Sequence, residues 1–495
     1  MAYSPQHSIR QGPLEAYVSQ ADGLPDFPWL AAQVSGRAPC VWLDSARTHP
    51  VTGRWSLFGW DPWLTLTARP APGGRPGGAL VTLRTSRSVH RWRADPLAAL
   101  RPLLRRYAGP RWGAEGPLGL GLVGWLSYDA NRWIERLPTP RRTEPAMPEL
   151  AWQGLRVTVL ADHLRQRRWI VSVVDPHEPA SRARRRAWKR LEQAQDWLEH
   201  PGPAPNAMPC GGVPEVTATS SPAAFEAMVA RALEYIRRGD IFQANLAQRF
   251  AARWNGSPLS LYLRLRAINP SPFACFLQSG PRAIVSCSPE RLVRVQDRWV
   301  DARPIAGTRA RGATPGEDAL AGLELLMSDK ERAEHIMLVD LARNDLGRLC
   351  EPGSISVDEL MALEEYSHVI HIVSNVSGRV RAATDAVAVI RALFPGGTIT
   401  GCPKVRAMEI IRELEPVGRG LYTGSIGWLG FDGSLDLNIA IRTILLDGPR
   451  LSYHVGAGIV ADSQPDREYA ETLAKAQALI AALRAQATNS HALAR

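Results

Sequence analysis

A stretch rich in proline, glycine and serine, PGPAPNAMPCGGVPEVTATSSP at residues 201–222, divides the chain and is the best candidate for a domain boundary. Neither a helix nor a strand runs comfortably through so many breakers. Before it, residues 1–175 read as strand-rich. Short β-type runs such as Cys40-Val41-Trp42-Leu43 and LRVTVL at 155–160 alternate with Pro/Gly turns. Most of the sixteen tryptophans lie there and read as packing residues. Residues 176–220 join an Arg/Ala-rich helix, about 180–200, to the linker. Residues 221–490 form the region densest in signals. Ser221-Pro222 predicts a helix start, with Ser as cap and Pro in the first turn. Phe225, Met228, Val229, Ala232, Leu233 and Ile236 follow at helical spacing. Strand-like runs at 283–286 and 299–302 precede a long predicted helix from about 316 to 345. Further strands are predicted near 371–376 and 439–446, and a final helix from about 466 to 485. A chain of 495 residues suits one large domain or two.

Composition excludes several function classes. The formal charge of +11 would suit a polyanion binder, but arginine is spread along the chain and the only tight basic run is RARRRAWKR at 182–190. Aromatic residues do not interleave with it as a base-stacking platform requires. An electropositive surface instead favours a small anionic substrate or an acidic partner, so no nucleic acid is expected. None of the six cysteines (Cys40, Cys210, Cys275, Cys287, Cys350, Cys402) forms a CxxC pair or a zinc-like cluster. A reduced, cytoplasmic setting is the expectation. The opening MAYSPQHSIRQG has no apolar signal core, and no apolar run approaches the ~20 residues that span a bilayer, so no membrane role is expected. The glycine-rich run 118–126 reads as a buried strand.

Two carboxylate pairs carry the clearest chemistry. Glu331 and Glu334, and Glu468 and Glu471, are each spaced i, i+3, which sets both carboxylates on one helical face. Two such helices facing each other would offer up to four hard oxygen donors suited to Mg²⁺; ordinary surface charges are the competing reading. Lys475 lies one turn beyond Glu471 and could hold a substrate carboxylate. Arg442, in the apolar segment NIAIRT, must be paired or bind an anion, because a lone buried charge is costly. Glycine-bearing turns occur at 304–308 (PIAGT), 394–404 (FPGGTITGCPK) and 455–459 (VGAGI). The second lacks the order of a Walker loop, although its N–H groups could cradle an anion.

Taken together, IFQANLAQRF, SPERL, RPIAGTRARG, ERAEHIMLVDLARNDLGR, YSHVIHIVS, FPGGTITGCPKVRAMEII, YTGSIG, DLNIAIRT and GAGIVADSQPDREYAETLAKA resemble, in this order, the chorismate-utilising family of anthranilate, aminodeoxychorismate, isochorismate and salicylate synthases. They span residues 241–476, about half the chain. The resemblance implies an α+β fold: two large, mostly antiparallel sheets packed as a sandwich, with peripheral helices and the pocket between the sheets. It implies a Mg²⁺ cofactor with Glu334 and Glu471 as direct ligands and Glu331 and Glu468 acting through water. It implies carboxylate binding by Arg442 and Lys475. Gly307, Thr308, Thr398, Tyr422 and Gly458 match further substrate positions, and His371 a catalytic one. Glu290 resembles the general acid that helps the C4 hydroxyl leave.

Within the family, Gln243 occupies the place where water-adding members carry a lysine base, which points to ammonia as nucleophile. Asn245, Arg291, Gly397, Thr400, Leu437 and Asn438 lean toward aminodeoxychorismate synthase component I, as do the segments LDS at 43–45 and FACF at 273–276. Ala306 departs from that pattern: many such enzymes have a lysine nucleophile there, whereas this chain has an alanine, as anthranilate synthases do. The expected partners are chorismate, ammonia and a separate glutamine amidotransferase subunit in a heterodimer. LDSARTHPVTGRWSLFG at 43–59 and NPSPF at 269–273 resemble the family's tryptophan-binding region, with Asp44, Ser45, Asn269, Pro270 and Phe273 as candidates. A non-catalytic, partner-binding paralogue is the rival class, and seven retained polar groups (Glu290, Glu331, Glu334, Arg442, Glu468, Glu471, Lys475) argue against it.

Overall fold

The computed structural model describes residues 7–71, 78–110, 120–139, 141, 147–201, 213–312, 314–365 and 369–484, less the side chains of Thr308 and Ala310. Two long strands, Trp55–Pro70 and Leu150–Asp162, set the architecture. They pair with each other along most of their length, with a register shift between Pro62 and Leu64. Asp61 beside it has φ of 56°, and Pro62 has no N–H for the ladder, so the pair bends there. The two ends of each strand then belong to different layers. Residues 57–60 pair with Cys40–Asp44, whereas 64–70 pair with Ala79–Thr85. Likewise 157–162 pair with Arg167–Val174 and 150–153 with Gly121–Leu126.

The first layer continues from Cys40–Asp44 through Phe273–Ser279, Arg282–Ser288, Thr443–Asp447 and Arg450–Ile459 to Gln243–Arg253. The second continues from Gly121–Leu126 through Ser425–Gly430, Leu435–Asn438, Arg291–Gln296 and Trp299–Ala302 to Val369–Arg379. Every named strand pairing among the described residues is antiparallel. Alternation along a strand sends neighbours to opposite faces. Cys275 and Leu277 join Val123, Ile426 and Trp428 in a core between the layers. Ala274 and Phe276 face outward, into a core closed by the helices Phe27–Val34, Pro258–Ile268 and Pro465–Arg484. The result is the expected α+β sandwich with peripheral helices.

Strands of residues 1–175 pair directly with strands beyond residue 221, at Cys40–Asp44 with Phe273–Ser279 and Gly121–Leu126 with Ser425–Gly430. The Arg/Ala-rich helix, Ala180–Glu199, is fastened to the first layer by Ser172 Oγ donating to the Ala187 carbonyl (2.8 Å) and Gln195 Nε2 donating to Ser19 Oγ (2.8 Å). Linker residues 202–212 and residues 142–146 lie outside the described residues. Among those described, no helix is long and apolar enough to cross a membrane.

The capped helix at Ser221 forms as expected, Pro222–Arg237, with Ser221 Oγ accepting from the Ala224 N–H. Two expectations change. The long helix is two, Pro315–Met327 and Asp329–Gly347, because Ser328 leaves helical geometry (ψ 111°) and its Oγ accepts from the Glu331 N–H. Arg442 is not in a strand. It stands at φ 50° on the crossing from Leu435–Asn438 in the second layer to Thr443–Asp447 in the first. Pro289 and Glu290 make the companion crossing, between Arg282–Ser288 and Arg291–Gln296. The crossings are laced together: Ile439 N donates to the Glu290 carbonyl (3.0 Å) and Cys287 N to that of Arg442 (3.1 Å).

Candidate active site

Polar side chains converge where the chain passes between layers. Glu290 is buried and accepts from Thr398 Oγ1 at 2.8 Å. Burial pushes its carboxyl up to about 7, against the opposing pull of Thr398 and the charges of Arg442 and Lys475. A carboxyl so placed keeps a proton to give near neutral pH. Thr398 reaches it from the PGGTITG loop, which Arg419 anchors: its guanidinium donates to the Ile399 carbonyl (2.9 Å), the Asn245 carbonyl (2.5 Å) and the Glu415 carboxylate (2.6 Å). The Glu415/Arg419 pair is i, i+4 in sequence, a spacing visible without the structure.

His371, on Val369–Arg379, is buried and bonded through Nδ1 to the Gly307 carbonyl at 3.1 Å. A carbonyl only accepts, so Nδ1 carries the hydrogen. Burial, then the charge of Arg442, lowers the ring to about 4, so it is neutral at pH 7. Ala306 is buried opposite Ile372, at the bulge of Ile305–Ala310 that also holds Gly307. Gly307 has φ of 65°, and a Cβ there would come 3.0 Å from both Glu331 Oε2 and Leu325 Cδ1. Gly307→Ala is therefore expected to destabilise the protein by about 1–2 kcal/mol from the left-handed backbone alone and to displace Glu331; urea denaturation and chorismate turnover check both effects. Thr308 pairs in register with His371, and its side chain is outside the described set.

The helices Asp329–Gly347 and Pro465–Arg484 bring the acidic pairs to the same place. Glu334 accepts from Gln243 Nε2 at 2.9 Å, and burial followed by the charge of Glu331 raises it to about 6, with Glu471 adding to the rise. Burial also raises Glu468, with Glu471's charge contributing. Glu331 pairs with Arg309 at 3.2 Å and Glu471 with Lys475 at 2.6 Å. Lys475 Nζ also donates to the Gly456 carbonyl at 3.2 Å. Among the described residues no three metal-ligating side chains converge tightly enough, as posed, to hold an ion. All four carboxylates are turned to partners of their own, Glu468 to Ser463. Their chemistry nevertheless fits a hard divalent cation: hard oxygen donors from two helices, with like charges that raise one another's affinity for a positive partner.

Tyr422 is buried and stacked on His454, with ring centroids 5.3 Å apart; burial raises its phenol. Gly458 lies beside Gln243, where a Cβ would come 2.8 Å from Nε2. Asn245, two residues along the strand from Gln243, shares its face.

The tryptophan candidates divide. Asp44, Ser45 and Phe273 line a cavity of about 200 Å³, together with Arg291 and Asn438. Asn269 and Pro270 do not line it. Asn269 ends the helix Pro258–Ile268, its N–H donating to the Leu265 carbonyl. Asp44 is held by Tyr262 Oη (2.8 Å) and Arg266 Nε (2.6 Å).

A two-layer antiparallel sandwich with a buried acid at a layer crossing and paired acidic helices defines a class of enzyme acting on a small anionic substrate. The chain belongs to the chorismate binding enzyme family, whose match covers residues 78–481. It is 46% identical to an anthranilate synthase component I-like protein of Synechocystis over 74% of this chain and 73% of the relative. It is 40% identical to aminodeoxychorismate synthase component 1 of Bacillus subtilis over 90% of this chain and 91% of the relative. The solved anthranilate synthase component I of Streptococcus pneumoniae superposes with a TM-score of 0.76 at 32% identity, covering 87% of this chain and 93% of that one.

Proposed function

We propose that the protein is an aminodeoxychorismate synthase component I, replacing the C4 hydroxyl of chorismate with an amino group for 4-aminobenzoate and folate synthesis. Gln243 supports ammonia as the nucleophile, and Asn245, Arg291, Gly397, Thr400, Leu437 and Asn438 favour aminodeoxychorismate over anthranilate as the product. The Gln243 amide is engaged with Glu334, and an amide cannot act as the base that water would need. Ammonia attacks without one. Glu290 gives its proton to the departing hydroxyl, so the C–O bond breaks with loss of water and a C–N bond forms, at C4 directly or by way of a 2-amino intermediate. The new nitrogen carries one proton too many, and its loss to the Glu290 carboxylate restores the acid. Arg442 and Lys475 supply positive charge for the substrate's carboxylates. Mg²⁺, held directly by Glu334 and Glu471 and through water by Glu331 and Glu468, would anchor the ring carboxylate and act as a Lewis acid. Ammonia would come from a separate glutamine amidotransferase subunit in a heterodimer.

Anthranilate synthase component I is the second reading, and Ala306 favours it. A methyl group stands where the aminodeoxychorismate pattern has a lysine, so on the first reading no covalent lysine adduct forms there. A product assay separates the two. With chorismate, Mg²⁺ and an ammonium salt, the expected product retains the pyruvyl ether and yields 4-aminobenzoate only after an aminodeoxychorismate lyase is added. Anthranilate with free pyruvate, read by mass spectrometry, would transfer the protein to tryptophan synthesis.

A further inference from the structure

We propose that the amide oxygens of Gln243 and Asn245 form the seat that receives the ammonia nucleophile. The inference rests on the amination reading and adds where the nitrogen waits. Both residues lie on one face of the strand Gln243–Arg253, and both side chains are buried, 2% and 9% exposed. Gln243 presents Nε2 to the Glu334 carboxylate, which can only accept, so its Oε1 turns elsewhere. That Oε1 and Asn245 Oδ1 are buried with no hydrogen-bond partner. A buried acceptor without a donor costs about 1–3 kcal/mol. Two of them two residues apart make a place for a ligand that brings hydrogens.

The facing strand Arg450–Ile459 keeps the space open. Gly458 lies opposite Asn245. A Cβ on Gly456 would come 2.8 Å from both Asn245 Oδ1 and Tyr422 Oη, and one on Gly458 would come 2.8 Å from Gln243 Nε2. Any side chain at either glycine would press on these amides, so glycine at both places leaves them uncovered. Ammonia held through two N–H groups keeps its lone pair for the ring carbon. A water in the same seat meets no base, because neither amide takes up a proton at neutral pH.

The test is steady-state kinetics of the full chain with chorismate, Mg²⁺ and ammonium chloride as sole nitrogen source. Asn245→Leu keeps the branched heavy-atom shape and removes the acceptor. It is expected to raise the KM for ammonium about tenfold or more, with the KM for chorismate unchanged within about twofold and an unaltered melting transition. Asn245→Ala carries the same expectation should the leucine variant not fold. Asn245→Asp keeps an acceptor oxygen and is expected to hold the ammonium KM within about threefold of wild type. An ammonium KM indifferent to both truncations overturns the seat. So does a chorismate KM that rises in step, since the oxygens would then be taking the substrate's own hydroxyl. A wild-type chain that incorporates no nitrogen overturns the amination reading itself, a result separable from either of these.

Discussion

Replacing Glu290 with glutamine is expected to lower chorismate turnover by about 10²- to 10⁴-fold, the usual contribution of a positioned general acid, while the protein still melts cooperatively. Glutamine can keep the contact with Thr398 but has no proton to give. Because burial holds the wild-type carboxyl at about 7, kcat/KM should fall as pH rises above about 7, and the residual activity of the variant should lack that limb. The same shift has a thermodynamic sign. In the unfolded chain the group titrates near 4.5, so below that pH both states are protonated and the native state bears no charging cost. Between 4.5 and about 7 the unfolded chain ionises and the folded one does not, and stability is lost progressively. Above about 7 the loss levels off, at about 3 kcal/mol. Glu290→Gln removes this penalty. Urea denaturation at pH 5 and pH 8 should show wild type weakening more between the two than the variant. Equal pH sensitivity would mean that the acid is not held protonated.

Glu334→Gln is expected to reduce Mg²⁺-supported turnover by at least about 100-fold with the fold intact. The substitution preserves volume and leaves an oxygen, but it removes a negative charge from the acidic cluster. It also converts the Gln243 contact from amide–carboxylate to amide–amide. A readout independent of turnover is available: Mg²⁺ should raise the melting temperature of wild type, because a ligand bound only to the native state stabilises it, and should leave the variant unmoved. Full activity with Mg²⁺ in the variant would refute the metal assignment.

What could be read in advance follows the range over which each signal acts. The i, i+3 carboxylates, the Ser221 cap and the final helix, Pro465–Arg484, are local, and a few residues specify each. The helix break at Ser328 is also local, but Ser328 and Glu331, with the S-x-x-E spacing of a capping box, lie within a run of good helix formers that hides it. NIAIRT reads as a strand because Ile439, Ala440 and Ile441 form an apolar run that would carry Arg442 with it. Nothing in six residues tells that the pairing partner changes layer in the middle. The cavity beside Asp44 is non-local in the same sense. Its walls come from segments more than two hundred residues apart, and Asn269 and Pro270, next to one wall in sequence, serve the end of a helix instead.

The pairing of Cys40–Asp44 with Phe273–Ser279 also sets a timetable for synthesis. On a ribosome adding 5–20 residues per second, the first strand emerges on the order of tens of seconds before its partner exists. Through that interval Cys40–Asp44 carries an unsatisfied row of amides and carbonyls, with Val41 and Trp42, both fully buried in the finished protein, beside it. A nascent chain in this condition is a client for chaperones and a template for mispairing. The arrangement that brings an acid and an arginine together at the seam of two sheets thus leaves the newborn chain incomplete until more than half of it has been made.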